Sequence, residues 1–136
     1  MPGVTVLLAD DNTDVLDHVG KMLRKANTYK VLAAITDGNS VVREYLRFRP
    51  DVIILDISMG EVSGIDIARK LRDSGCSAKI IFLTVHEDRD YMNAAIGAGG
   101  LAYVTKSRLN LDLLRAIKAV LANKLFVSAS FMYEPS

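Results

Sequence analysis

The sequence predicts an α/β fold in which five strands alternate with five helices, a (βα)5 doubly wound domain with a five-stranded parallel sheet. Short apolar runs are separated along the chain by segments whose apolar residues recur at helical spacing. The runs are too uniformly apolar to have one face in water. Such runs are typical of parallel strands that helices cover on both sides.

Five apolar runs are the expected strands. In chain order they are VTVLLA (4–9), KVLAAI (30–35), DVIILD (51–56), KIIFLT (79–84) and LAYVT (101–105). The segments between and after them carry apolar residues three or four positions apart, as one buried helical face requires. These residues are Val15, Val19, Met22, Leu23 and Ala26; Val41, Val42, Tyr45 and Leu46; Ile65, Ala68 and Leu71; Met92, Ala95 and Ile96; and Leu113, Leu114, Ile117, Val120 and Leu121.

The alternating pattern ends after Asn123. The final stretch LFVSASFMYEPS has neither helical nor strand period, so Phe126 and Val127 belong to no predicted element. We therefore expect one domain over residues 1–122 and a C-terminal tail or interdomain linker over residues 123–136.

Composition narrows the class of protein. With 136 residues the chain has the size of one domain, and its formal net charge of +1 gives no general attraction to nucleic acid, an anionic membrane or an acidic partner. Cys76 is the single cysteine, which fits a reducing compartment. No apolar run approaches the roughly 18 residues of a membrane span, and no secretory signal is recognisable. We expect a cytoplasmic protein that does not bind membranes.

Polar residues stand where the predicted strands end. Asp10 and Asp11 follow the first strand, Asp56 ends the third, Thr84 ends the fourth, and Lys106 lies just past the fifth. In a doubly wound sheet, ligands bind beyond the carboxyl ends of the strands. Three carboxylates, a hydroxyl and an ammonium group are therefore expected at one edge of the sheet.

This grouping suits phosphoryl transfer. Three neighbouring carboxylates repel one another, and a cation relieves the repulsion. A hard divalent ion such as Mg²⁺ binds one or two carboxylates and leaves positions for water and phosphate oxygens. Lys106 and the Thr84 hydroxyl would neutralise the phosphoryl oxygens while Asp56 attacks phosphorus and becomes an aspartyl phosphate.

Four stretches carry a family resemblance: LLADDN (7–12), VIILDISMGEVSGIDIARKLR (52–72), IIFLTVHED (80–88) and AIGAGGLAYVTKS (95–107). With these motifs the chain resembles the receiver domain of two-component response regulators of the NarL/FixJ (LuxR-type) family, over residues 4 to about 122. The resemblance implies a flavodoxin-like, CheY-like fold. It also implies a signalling phosphoacceptor rather than an enzyme, with self-phosphorylation from phosphodonors and slow autodephosphorylation.

The resemblance assigns the metal and acceptor roles. Asp56 looks like the phosphoacceptor. Asp10 and Asp11 look like the acidic pair that positions Mg²⁺ (or Mn²⁺), together with Asp56 and the main-chain carbonyl of Ser58.

The resemblance also assigns the signalling roles. Lys106 looks like the base that pairs with the phosphate. Thr84 and Tyr103 look like the switch pair, in which the hydroxyl moves onto the phosphoryl group and the aromatic ring turns inward. The implied partners are a sensor histidine kinase, a second copy in a homodimer formed on phosphorylation, and DNA, which would be bound only through a C-terminal helix-turn-helix domain absent from this chain.

Several residues depart from the pattern usual in the family, among them Gly60, Val85 and Ser107. Gly60 stands where a proline is usual after the methionine, which predicts a looser loop beyond Asp56. Ser107 stands where a proline often follows the lysine. A cis bond between Lys106 and Ser107 would cost about 3 kcal/mol more than trans, so we do not expect one.

Three other functions fit parts of the pattern. One is a stand-alone single-domain regulator, and another is a receiver-like interaction module that is never phosphorylated. The third, an aspartyl-nucleophile phosphohydrolase, commonly has a second aspartate two residues after the nucleophile, where this chain has Ser58.

His86 lies near the site, two residues past Thr84, and is interpreted as a loop histidine without a catalytic role.

Overall fold

The predicted strands form one parallel sheet in the computed structural model, which describes residues 3–128. The strands are β1 (Val4–Ala9), β2 (Tyr29–Ile35), β3 (Val52–Leu55), β4 (Ser58–Met59), β5 (Val62–Ser63), β6 (Lys79–Thr84), β7 (Gly100–Thr105) and β8 (Phe126–Val127). The main sheet has the order β2-β1-β3-β6-β7-β8 with every pair parallel, and β4 and β5 form a separate antiparallel pair. The predicted doubly wound fold is confirmed.

Five helices cover the sheet. They are α1 (Thr13–Ala26), α2 (Val41–Phe48), α3 (Gly64–Asp73), α4 (Arg89–Gly97) and α5 (Leu109–Leu121). Short 3₁₀ turns precede α2 and α5. Within residues 3–128, no helix combines the length and the apolar character needed to cross a bilayer.

The core lies on both faces of the sheet. Successive residues of a strand point to opposite faces, so Leu7 of β1 belongs to one buried cluster and Leu8 to the other. The first cluster includes buried residues of α2, α3 and α4, and the second includes buried residues of α1 and α5. This burial on both faces explains why the strands read as continuous apolar runs.

The sheet has one more strand than predicted. Phe126 pairs with Ala102 and Val127 pairs with Tyr103, so β8 extends the parallel sheet beyond β7. The prediction that Phe126 and Val127 belong to no element was wrong. Two residues are too few to show a strand period, and what fixes them is their hydrogen bonding to β7. The rest of the predicted tail, residues 129–136, lies outside the described part of the chain.

Candidate functional site

The sheet order brings the predicted site residues to one edge. β1 and β3 are neighbours, and β6 and β7 follow on the far side of β3. Asp10 and Asp56 directly follow β1 and β3, Thr84 ends β6, and Lys106 directly follows β7. Strand pairing therefore places residues from four parts of the chain side by side.

The three acids form a cluster. One carboxylate oxygen from each of Asp10, Asp11 and Asp56 lies within 4.8 Å of the other two. Asp10 is 3% exposed and Asp56 is 4% exposed, whereas Asp11 is open to solvent. Carboxylates this close repel one another unless a cation compensates their charge.

Lys106 supplies part of that compensation. Its Nζ lies 3.0 Å from Asp56 Oδ2 and 2.9 Å from Asp10 Oδ2. Burial lowers the pKa of the Lys106 ammonium group, but the contacts with Asp10 and Asp56 outweigh burial, so the pKa is raised above its ordinary value. Lys106 is therefore a fixed positive charge between two buried carboxylates.

Asp10 remains incompletely satisfied. Its Oδ1 accepts a hydrogen bond from the main-chain N–H of Asn12 at 2.9 Å. Its buried Oδ2 lies 2.9 Å from Lys106 Nζ and has no other polar partner among residues 3–128. Burial raises the pKa of the Asp10 carboxyl and outweighs the lowering effect of Lys106. A buried carboxylate oxygen whose one partner is a lysine shared with Asp56, beside two further carboxylates, fits a hard divalent cation.

The loop after Asp56 makes a hydrogen bond to Asp11. Gly60 has φ +68°, in the left-handed region, and its main-chain N–H donates to Asp11 Oδ2 at 3.1 Å. Proline has no N–H and a φ fixed near −65°, so it could make neither this turn nor this hydrogen bond. The looseness predicted for this loop stays a prediction, and what Gly60 provides in the structure is a contact that orients Asp11.

Gly64 lets α3 begin directly against the site. Its N–H donates to the carbonyl of Ile57 at 2.6 Å, and a Cβ on Gly64 would overlap the carbonyl oxygen of Asp56. The clash is with main chain, which cannot turn aside as a flexible side chain can. Only glycine allows this close approach.

We therefore expect Gly64→Ala to lower the free energy of unfolding by about 3 kcal/mol, the cost of overpacking against rigid main chain. Gly97→Ala is the matched control because it also lies in a helix and a Cβ there meets nothing within 4 Å. Urea unfolding followed by circular dichroism measures both. Equal stability of the two variants would contradict the close packing at Gly64.

His86, in the loop after β6, contacts residues on several sides of the site. The imidazole Nε2 lies 2.9 Å from Ser58 Oγ, and the ring stacks on Tyr91 with 4.2 Å between centroids. The N–H of His86 donates to Thr84 Oγ1 at 3.3 Å, and its carbonyl accepts from the Tyr103 hydroxyl at 2.8 Å. His86 therefore links the predicted switch pair to the loop after Asp56.

Both predicted switch residues are fully buried. The Tyr103 ring, predicted to turn inward, already lies inside the protein in this structure. Burial is the main cause that raises the pKa of the Tyr103 hydroxyl, and nearby acids raise it further. Tyr103 therefore stays a neutral hydrogen-bond donor to His86.

Comparison with known proteins identifies the family. Residues 6–118 match the model of the response regulator receiver domain. The chain belongs to this family. A receiver domain is also what the four sequence stretches predicted, and the NarL/FixJ (LuxR-type) resemblance is confirmed by the relatives.

Two curated relatives are regulatory proteins. The receiver domain is 31% identical over 129 residues to the transcriptional regulatory protein DesR of Bacillus subtilis (strain 168), covering 95% of this chain and 64% of DesR. It is 31% identical over 124 residues to the oxygen regulatory protein NreC of Staphylococcus aureus (strain JH9), covering 90% of this chain and 57% of NreC. The chain therefore spans roughly three-fifths of the length of these relatives.

Two solved structures share the fold closely. A LuxR-family two-component response regulator from Aurantimonas sp. SI85-9A1 superposes with a TM-score of 0.91 at 28% identity, over 96% of this chain and 93% of that one. The isolated receiver domain of RcsB from Salmonella enterica serovar Typhimurium, with the phosphomimetic BeF₃⁻, gives a TM-score of 0.87 at 25% identity and covers 96% of each chain.

Sequence reasoning missed three contacts of this receiver domain. They are the hydrogen bond from the Gly60 N–H to Asp11, the close approach of Gly64 to the main chain of Asp56, and the Ser58–His86 hydrogen bond, called below the Ser58–His86 bridge. A glycine directly before a helical pattern, such as Gly64, is a usable signal for close main-chain approach. The Ser58–His86 bridge joins residues 28 apart in sequence and has no local signal.

Proposed function

We propose that this receiver domain accepts a phosphoryl group on Asp56 from a phosphohistidine of a sensor histidine kinase. The observation that carries the proposal is the position of Asp56, whose carboxylate is in contact with Lys106 and lies beside the acids Asp10 and Asp11. Phosphoryl transfer uses each of these groups: carboxylates that hold a divalent ion, a carboxylate nucleophile, and a lysine that pairs with phosphoryl oxygens.

In the proposed step, a carboxylate oxygen of Asp56 attacks phosphorus in line with the leaving imidazole. A P–O bond forms and the P–N bond breaks, and the electron pair of that bond stays on the imidazole nitrogen. Lys106 Nζ, 3.0 Å from Asp56 Oδ2, is within reach of the transferred phosphoryl oxygens. The Thr84 hydroxyl is proposed to bind another of those oxygens.

The proposed cofactor is Mg²⁺ or Mn²⁺. Asp10, Asp11, Asp56 and the main-chain carbonyl of Ser58 would hold it. When bound, the ion neutralises charge on the phosphoryl oxygens. The oxygen-only donor set and the buried Oδ2 of Asp10, whose one polar partner among residues 3–128 is Lys106, support this choice of a hard cation.

The output is proposed to be transcriptional. Thr84 and Tyr103 would act as the switch pair, and phosphorylation would favour a homodimer. DesR is named a transcriptional regulatory protein and is longer than this chain. By analogy, a helix-turn-helix domain outside this chain would carry the DNA contacts, in a protein that we place in the cytoplasm.

Incubation with acetyl phosphate and Mg²⁺ tests the proposal directly. We expect the intact mass to rise by one phosphoryl group and EDTA to abolish the gain, because the three acids then lack their cation. Protein without acetyl phosphate is the control. No gain in mass would overturn the phosphoacceptor function. Sustained turnover of a phosphate ester would instead support the phosphohydrolase, although Ser58 offers no carboxyl group as its acid or base.

A further inference from the structure

A serine that directly follows the short strand β8, Ser128, is hydrogen-bonded to β7, the strand that contains Tyr103. Ser128 is fully buried. Its N–H donates to the carbonyl of Tyr103 at 2.9 Å, and its Oγ accepts from the N–H of Thr105 at 3.0 Å. A side-chain hydroxyl thus satisfies a buried main-chain donor of β7 that would otherwise lack a partner.

The two residues of β8 itself contact both faces of the sheet. Val127 packs against the cluster that contains Tyr103, and Phe126 packs against the opposite cluster, which contains α1 and α5 residues. β8 is therefore held from both sides and by hydrogen bonds along its edge. A displacement of β7 cannot leave β8 in place without breaking these contacts.

Thr105, which donates its N–H to Ser128, lies next to the site. Thr105 is also fully buried and directly precedes Lys106, whose ammonium contacts Asp10 and Asp56. The hydroxyl of Thr105 lies 3.3 Å from that of Ser107, on the other side of Lys106. Ser128 is thus bonded to the residue immediately before Lys106 and to the main chain of Tyr103.

We propose that β8 and Ser128 form a transmission element, through which the residues after Ser128 respond to the state of the phosphorylation site. The inference rests on the proposed phosphoacceptor function. When a phosphoryl group engages Lys106 and the switch pair, β7 adjusts at Tyr103 and Thr105, and the two hydrogen bonds carry the adjustment to Ser128. Because coupling between two sites is reciprocal, a force on the chain after Ser128 also changes the phosphorylation site.

The test follows main-chain amides of the full 136-residue chain by NMR, before and after Mg²⁺ and beryllium fluoride are added as a phosphoryl mimic. Amides of Asp11 and Thr84 report on the site, and those of Val127 and Ser128 report on the transmission element. In the wild type both sets should shift. In Ser128→Ala the site amides should shift as before, and the response of Val127 and residue 128 should be reduced, because one of the two hydrogen bonds to β7 is lost and the main-chain bond to Tyr103 remains.

The same samples give a second measurement. Amide hydrogen exchange at Thr105 should be roughly tenfold faster in Ser128→Ala, since one hydrogen bond to a buried donor is lost. Thr5→Val is the matched control, because the Thr5 hydroxyl also accepts from a main-chain N–H, that of Asp51, at the other end of the sheet. It should leave the response of Val127 and Ser128 unchanged.

Three outcomes would overturn the inference, and each is distinguishable. If the site amides of the wild type shift and those of Val127 and Ser128 do not, β8 transmits nothing. If Ser128→Ala keeps the full response at Val127, the hydroxyl is not the connection. If no amide of the wild type shifts, Asp56 binds no phosphoryl mimic, and the phosphoacceptor function falls together with the inference.

Discussion

Asp56→Asn should abolish phosphorylation of the receiver domain by acetyl phosphate or by a phosphohistidine donor. An amide has no anionic oxygen to attack phosphorus, and Asp10, which also follows a buried strand and contacts Lys106, is proposed as a metal ligand. Asp10 is the one other acid in contact with Lys106 among residues 3–128. Intact-mass measurement should show one added phosphoryl group in the wild type and none in the variant.

The loss should not come from unfolding. Asp56→Asn keeps the shape of the side chain, and Lys106 retains Asp10 as its charged partner. Thermal unfolding by circular dichroism checks this. Asp51→Asn is the matched control, since Asp51 directly precedes β3 at its other end, where its carboxylate accepts from Thr5. Asp51→Asn should be labelled like the wild type, and labelling of Asp56→Asn to the same extent would show that the acceptor lies elsewhere.

The placement of Asp56 beside Asp10 and Lys106 was predictable because it depends on sheet topology. Uniformly apolar runs indicate strands buried on both faces, and parallel strands bring their carboxyl ends to one edge. Asp10, Asp56, Thr84 and Lys106 each end or directly follow such a run. Once the runs are recognised as strands of one parallel sheet, these residues are expected at the same edge, independently of how the intervening helices pack.

Other features depend on loop conformation, which the sequence pattern does not determine. The hydrogen bond from Gly60 to Asp11 needs the left-handed turn at Gly60, and the Ser58–His86 bridge needs two loops to approach each other. β8 was missed for a different reason. Two residues carry no period, and their strand exists only because β7 leaves an edge with which they can pair.

Asp11→Ala should weaken Mg²⁺ binding by roughly tenfold or more, through loss of one of three clustered oxygen ligands. Asp11 is the one solvent-exposed acid of the cluster, so its removal leaves the buried pair of Asp10 and Asp56 with Lys106 intact. Asp56, the proposed acceptor, is untouched. Labelling by acetyl phosphate should therefore fall at low Mg²⁺ and recover as the concentration is raised.

A Mg²⁺ titration of the initial labelling rate measures the effect. Asp14→Ala is the matched control, because Asp14 is a neighbouring acid in the first turn of α1 that does not belong to the acid cluster. Its Mg²⁺ dependence should match that of the wild type. If the Mg²⁺ concentration at half-maximal labelling rate is unchanged in Asp11→Ala, Asp11 is not a metal ligand. Labelling that stays low at saturating Mg²⁺ would mean that Asp11 acts on the transfer itself, because a lost ligand lowers affinity but leaves the filled site able to react.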